Sequence, residues 1–413
     1  MNRLYFILSI LFFTALTSAV LPRTINVCSS CEQITIKSAI EKSAEGDQII
    51  IKPGIYREHD IQIKKGLTLN GEKGAVIDGE GADTILKILA DNVSVSNLKL
   101  RNVGHSYTKD FTAILVRESR NFSIKNNTLE SVFFGIKVEL SHNGLVEGNT
   151  VSSDNKNQAG AGNGIHIWNS TGIKVVNNDL SSMRDGIYFE FVKESLISGN
   201  RSHNNLRYGL HFMFSNNNSY TDNIFDNNGA GVAVMFSKYI QMKHNTFKNN
   251  WGTASYGLLL KEIYDAEITD NTFQTNTIAV NIEGSTRVNY FRNSFEGNGW
   301  AVKVVGACYE NVFKGNNFLG NALDVSYNSR ANDNEFSSNY WNSYTGYDLN
   351  HDGVGDVPHR PVKLFSFIVN KNPEAIVLLR SLFVDLINFS EKVSPIFTPD
   401  DIIDETPAMR AFK

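Results

Sequence analysis

The sequence has no basic excess: 39 Lys and Arg stand against 43 Asp and Glu, a formal charge of −4 over 413 residues. Neutralising a nucleic-acid backbone needs the opposite balance, so a nucleic-acid partner is excluded. No internal stretch is long and apolar enough to span a membrane; the nearest, Ile376 to Val393, is interrupted by Arg380, Asp385 and Glu391. Proline is scarce at 8 and cysteine scarcer at 3. Cys28 and Cys31 form a C-x-x-C pair, open to a local disulfide or to soft-metal capture, whereas Cys308 has no evident partner. The pair lacks a surrounding thioredoxin-like βαβ pattern, which disfavours a redox role. Abundance lies elsewhere, in 48 Asn and 31 Gly. Asn competes with helical hydrogen bonds and favours turns, so a helical protein is a poor expectation.

The N-terminus reads as an export signal. Arg3 precedes an apolar run from Leu4 to Leu16, too short to span a bilayer, and Thr17-Ser18-Ala19 suits signal-peptidase cleavage. Residues 1–19 are therefore expected to be removed, which places the mature chain outside the cytoplasm.

A repeat organises the middle of the chain. GIHIW (Gly164 to Trp168), GIYFE (Gly186 to Glu190), GLHFM (Gly209 to Met213), GVAVM (Gly231 to Met235), GLLLK (Gly257 to Lys261), AVNIE (Ala279 to Glu283) and AVKVV (Ala301 to Val305) step by 22, 23, 22, 26, 22 and 22 residues. A second column keeps the same period: Asn178, Asn200, Asn223, Asn245, Asn271, Asn293 and Asn316. Helical repeats run longer, so the unit is a β-solenoid coil. Alternation within each string sends Ile165, Ile187, Leu210, Val232, Leu258, Val280 and Val302 inward, together with Ile167, Phe189, Phe212, Val234, Leu260, Ile282 and Val304. The Asn column is read as a structural ladder inside a turn, each amide bonding to the coils above and below.

The outward positions carry chemistry. One ladder runs His166, Tyr188, His211, Ala233, Leu259 and the next Trp168, Glu190, Met213, Met235, Lys261. Neighbouring coils lie ~4.8 Å apart, which predicts a surface patch of His211, Met213, Met235 and Glu190, with His166 two coils away. Thioether and imidazole together suit copper, Cu(I) especially; a partner-docking face is compatible with the same residues. β-Helices also host polysaccharide lyases and hydrolases, and a glycan enzyme or glycan-binding protein is the competing class. Glycan cleavage needs convergent carboxylates, and Glu190 has no acidic neighbour in adjacent coils; Asp185, beside Arg184 at the strand entrance, is the nearest alternative.

A separate signal is YDLNHDGVGDVP. Asp348, Asn350, Asp352 and Asp356 occupy positions 1, 3, 5 and 9 of a calcium-type loop with Gly353 at the sharp turn, although His359 replaces the final Glu. A structural calcium ion and an Asx-turn loop without metal are both open. The stretch Ile36 to Ala44 reads as a cap helix, and Val362 to Val369 and Ile376 to Val393 read as helices with an apolar face that includes Leu379, Leu382, Phe383 and Leu386. The expected organisation is a solenoid over residues 20–345, an Asp/Gly-rich loop over 346–361 and a helical tail over 362–413.

The strings GNGIHIWNS, RDGIYFEF, RYGLHFMFSN, SYGLLLK and NYWNSYTGYDLNHDGVGDVPHRPVKLFSF resemble the NosD family, periplasmic accessory proteins for maturation of nitrous oxide reductase. The resemblance runs from about Ala39 to the C-terminus, through Leu379 to Asp385 and Phe397-Thr398-Pro399. His359, where the family usually has Tyr, and the Cys28/Cys31 pair depart from it. The resemblance implies an all-β, right-handed parallel β-helix that is periplasmic and not an enzyme. It implies work with an ABC-type membrane permease and its cytoplasmic ATPase, assembly of the reductase's copper–sulfide cluster, and a copper chaperone as donor. It also implies that the tail docks on the permease and so lies at the inner membrane.

Overall fold

The computed structural model describes residues 22–328, 333–393 and 402–413. The expected signal peptide and Phe397-Thr398-Pro399 lie outside the described residues. Short strands alternate with tight turns and stack into three parallel sheets of 14, 12 and 13 strands, each strand pairing with its counterpart one coil on. This is the expected parallel β-helix. The three faces surround one continuous core in which both inward columns, Ile165 through Val302 and Ile167 through Val304, are buried.

The turns show why the sequence is rich in asparagine. The Asn200 N–H and Nδ2 both donate to Asn223 Oδ1 at 3.0 Å, while Nδ2 also reaches Val175 O at 2.8 Å. The same arrangement links Asn127, Asn149, Asn178, Asn200, Asn223, Asn245, Asn271, Asn293, Asn316 and Asn339. Each amide saturates a buried turn that would otherwise leave polar backbone groups unpaired. A second ladder runs from Asn205 to Asn321, and a stack of rings from Phe225 through Phe247, Phe273, Phe295 and Phe318 to Trp341 fills the core beside them.

Both ends are closed. At the start, helix α1 (Ile36–Lys42), capped by Thr35 Oγ1 on the Ser38 N–H, buries Ile36, Ala39 and Ile40 over the first coil. At the far end the long Asn ladder finishes on a carboxylate. Asp404, fully buried, accepts from the Asn339 N–H at 3.0 Å, Asn339 Nδ2 at 3.1 Å, Trp341 Nε1 at 2.9 Å and the Ser338 N–H at 3.1 Å. The final residues are thus not helix: single bridges tie Asp404 to Phe336 and Ala408 to Tyr340, so they act as a last partial coil.

The tail before it divides. Helix α2 (Leu364–Lys371) packs on the strand Leu323–Tyr327, with Ser366 Oγ donating to Val325 O at 2.9 Å. The helix expected over Ile376 to Val393 is a 3₁₀ turn, Pro373–Leu378, followed by α3 (Leu382–Val393). Leu379, expected on a docking face, instead packs partly buried against the cluster of Leu323, Phe365, Val369 and Val384. Leu382, Phe383 and Leu386 are exposed.

Val234→Asp would put an unpaired charge in this core and should cost more than about 3 kcal/mol; denaturant melts check it. Asp404→Ala would leave the ladder's last N–H donors without an acceptor and should cost about 2 to 4 kcal/mol by the same measurement.

Candidate functional site

The middle coils of the 12-stranded sheet present three outward columns. In the strands Asp185–Glu190 and Tyr208–Met213, register pairs join Asp185 to Tyr208, Ile187 to Leu210, Tyr188 to His211 and Glu190 to Met213. Gly186 is skipped. A Cβ built there would lie 1.9 Å from Ser202 Oγ inside the solenoid, so glycine is required, and the register offset is the same on either side of it. Asp185 lies beside Arg207 and His211, residues with which simple alternation does not group it.

The predicted middle column holds, but it is buried from His211 onward, while His166 and Tyr188 are partly exposed. His211 is 6% exposed and Ala233 is fully buried. The rings of Tyr188 and Tyr208 each stand 4.9 Å from that of His211, and Tyr188 also stands 4.7 Å from His166. An outward position on a broad sheet can still be buried by its large neighbours. The expectation of His211 in an exposed patch is corrected accordingly. Both ring nitrogens of His211 and both of His166 are buried with no hydrogen-bond partner. Beside this column, the loop after the strand Thr150–Ser152 crosses the solenoid, where Gln158 Nε2 donates to Leu206 O at 2.8 Å and His105 Nε2 lies 3.2 Å from Gly160 O.

Electrostatics follow from this burial. Asp185 is fully buried; burial pushes its carboxyl up, but a two-pronged pair with Arg207, one arm at 2.7 Å, outweighs it and holds the group below the usual carboxylate range. His211 Nδ1 lies 3.8 Å from the other oxygen of Asp185, too long for a hydrogen bond. Burial, aided by the Lys137 charge, pushes His166 down to about 4, so it is neutral at pH 7. Burial and the Glu190 charge push Tyr188 up to about 12.

The third column is the predicted thioether one. Met213 pairs with Met235 on consecutive coils, with Glu190 one coil before, all partly exposed. His211 shares a strand face with Met213, while His166 is separated from His211 by Tyr188. Next to this column stand Phe191, Phe214 and Phe236, stacked at 5.2 and 5.1 Å, each in the left-handed region at φ 55°, 50° and 52°. That backbone costs roughly 1–2 kcal/mol per non-glycine residue, so this edge carries strain which ring stacking only partly offsets. Sequence reading missed these phenylalanines, although the recurring Glu-Phe, Met-Phe and Met-Phe pairs mark them.

Among the described residues, no group of three His, Cys, Asp or Glu side chains could hold a metal ion. In the acidic loop the carboxylates are turned on their own backbone: Asp348 accepts from the Asp352 and Gly353 N–H groups at 3.2 and 2.9 Å, and Asp356 from the Leu349 N–H at 2.6 Å. Asn350 Oδ1 accepts from the Asp352 N–H at 3.2 Å, completing a set of Asx turns. Cys28 and Cys31 are joined in a disulfide, so neither sulfur is a free thiolate. No described helix is long and apolar enough to cross a membrane.

Residues 151–351 match the family model described as periplasmic copper-binding protein (NosD). The chain is 28% identical over 402 residues to a probable ABC transporter binding protein NosD of Pseudomonas aeruginosa, covering 84% of this chain and 85% of that one. It is 27% identical over 369 residues to the protein of the same name from Stutzerimonas stutzeri, covering 84% of each. Among solved structures, the Yersinia enterocolitica family 28 exopolygalacturonase superposes with a TM-score of 0.59 at 12% identity, over 76% of this chain and 78% of that one; the likeness is one of fold.

Holding His166 neutral has a pH consequence. The unfolded chain takes up a proton at this residue below about pH 6.5 that the folded chain refuses until about pH 4, so stability falls by up to ~1.4 kcal/mol per pH unit across that window. Above it the residue has no effect. His166→Phe should flatten this part of the curve, read from urea melts at pH 7.5, 5.5 and 4.5.

Proposed function

We propose that this chain, which belongs to the NosD family, is a periplasmic, non-enzymatic maturation factor that holds copper in transit for the copper–sulfide cluster of nitrous oxide reductase. Copper is its cargo rather than a resident cofactor. The observation that carries this reading is the stacked pair Met213 and Met235, partly exposed, on the strand face of a buried His211 with two unpartnered ring nitrogens. Thioethers and a neutral imidazole are soft donors suited to Cu(I), and flexible methionine side chains can close on an ion without moving the backbone. Glu190, in register with Met213, and His166, beyond Tyr188, are accessory to this set. The strained phenylalanine edge suits a face that a copper-exchanging protein, chaperone or reductase, covers and leaves.

The names of the relatives support an ABC transporter association. In this proposal the exposed Leu382, Phe383 and Leu386 of α3 meet the permease, whose ATPase works from the cytoplasm, and so hold the protein at the inner membrane. Leu379 is left out of that contact by its packing. The supply of sulfur rather than copper by the same machinery is the variant of this reading that the copper experiment separates. A structural calcium ion in the 346–361 loop is a lesser proposal, because its ligands would first have to leave their backbone N–H partners.

The enzyme class fits the geometry less well. Glycan cleavage needs one carboxyl that gives a proton and another that accepts one or attacks, and Asp185 is held ionised by Arg207 with its lone pairs engaged.

Anaerobic competition titration should show Cu(I) bound by the wild type and weakened roughly 100-fold, about 2.7 kcal/mol, in the Met213→Leu/Met235→Leu pair. Cys28→Ser/Cys31→Ser should leave binding unchanged. Loss in the cysteine pair with full binding in the methionine pair would refute the assignment.

A further inference from the structure

The helical excursion near the C-terminus does not close fully on the solenoid. Helix α2 lies on the strand Leu323–Tyr327 and is joined to α3 by Glu391 Oε1, which accepts from the Leu364 N–H at 2.7 Å. Between these helices and the last coils lies a cleft of about 600 Å³. Its origin is in the turns beneath it: Gly297, Gly299, Gly320 and Ala322 line the solenoid side and offer almost no side chain to fill the space. Leu323, Phe365, Leu379 and Val384 give it apolar walls, and Trp251 and Trp300 add two indoles, the first 64% exposed.

The charge in the lining is of one sign. Lys363 and Arg380 line the cleft, no acidic side chain does, and neither cation forms an ion pair among the described residues. Asp324, on which the Lys363 charge acts, is held instead by Asn321 Nδ2 and Ser343 Oγ, each at 3.3 Å. A third cation stands beside the cleft, Lys303 Nζ, 5.8 Å from the Trp300 ring. Asn388 also lines it, and its Oδ1 is buried with no hydrogen-bond partner.

An apolar cleft of this size is costly in a molecule that is otherwise close-packed, and a ligand that suits it is apolar along its length and anionic at one end. We propose that the cleft binds a single-chain anionic amphiphile, a fatty acid or a lysophospholipid, with its chain between the small-residue turns and the helices and its head toward Lys363 and Arg380. The Asn388 amide can turn over to present Nδ2 to that head, because its oxygen and nitrogen exchange places without a change of shape. An acidic oligosaccharide would also stack on indoles, but its hydroxyls need free polar partners. Asn298 Nδ2 already donates to Asn321 Oδ1 at 3.0 Å and Thr277 Oγ1 to Gly252 O at 3.1 Å, which leaves Asn388 as the one unpartnered amide in the lining among the described residues. The inner-membrane placement proposed above would supply such an amphiphile, but binding itself rests neither on that placement nor on the copper reading.

The test titrates copper-free mature protein with octanoate, decanoate and laurate below their micellar concentrations, with lauroyl lysophosphatidylglycerol, and with trigalacturonate. Tryptophan fluorescence follows binding, since two of the four tryptophans line the cleft, and calorimetry gives the stoichiometry. One equivalent of laurate should bind, and each added pair of methylenes should tighten carboxylate binding about 15-fold, the equivalent of ~0.8 kcal/mol per buried CH₂. Lys363→Gln/Arg380→Gln should weaken laurate at least about tenfold. Ala322 is exposed, so Ala322→Trp can fill the cleft without disturbing the core and should block binding. Leu382→Ser/Leu386→Ser, on the exposed face of α3, should leave it intact. The tighter of laurate and the lysophospholipid identifies the source of the chain. Failure of both to bind, affinity independent of chain length, loss in the serine pair with full binding in Ala322→Trp, or binding of trigalacturonate in place of laurate would overturn the proposal.

Discussion

One constraint governs the molecule: every coil must present the same turn at the same place, because its buried amides are satisfied only by the coils on either side. The bond from Asn200 to Asn223 Oδ1 is useful only if Asn223 stands directly over Asn200, and the same holds along the ladder to Asn339. Register follows from this. A slip of one residue would break the amide ladder and turn the core residues outward at once. Once register is fixed, the spacing of outward side chains is fixed too, and Met213 lies over Met235 whatever those residues do. A solenoid of this kind can place soft donors at constant separation on a rigid face while the rest of the chain only maintains the stack.

That dependence explains what could be read from the sequence. The period, the two apolar columns, the role of asparagine and the pairing of Glu190, Met213 and Met235 are repeat properties, so they are written in the spacing. Properties that depend on a departure from the repeat were not legible. The ion pair of Asp185 with Arg207 is such a departure, since the next coils carry Tyr208 and Ala230 in the place of Asp185. Burial of His211 depends on the rings of Tyr188, one coil before it, and of Tyr208 in the next column, a breadth of surface that alternation along one strand does not express. Asp404 closes a ladder whose last asparagine is 65 residues earlier, in a stretch whose composition suggested only more tail. The split of the tail at Leu379 likewise depends on the end coil against which it packs.

The site itself arises where the repeat is bent to other ends. Phenylalanines at positive φ stand where other coils carry Glu, Leu, Asn or Gly, and imidazole nitrogens lie buried without partners. Each of these weakens the stack locally, and all of them gather on the same few coils of one sheet. The long ladders and ring stacks on the other faces supply the stability that lets this one be suboptimal. Function is therefore expected on this face, and the chemistry of its donors is soft and neutral next to hard and cationic.

The central claim is that thioether and imidazole, not thiolate or carboxylate, hold the copper. X-ray absorption at the copper edge of the Cu(I)-loaded mature protein tests it most directly. The account predicts mixed sulfur and imidazole nitrogen scattering, with the sulfur shell lost in Met213→Leu/Met235→Leu and the imidazole signal lost in His211→Gln. An all-sulfur shell that survives the methionine substitutions, or a shell of oxygen and nitrogen alone, would contradict it.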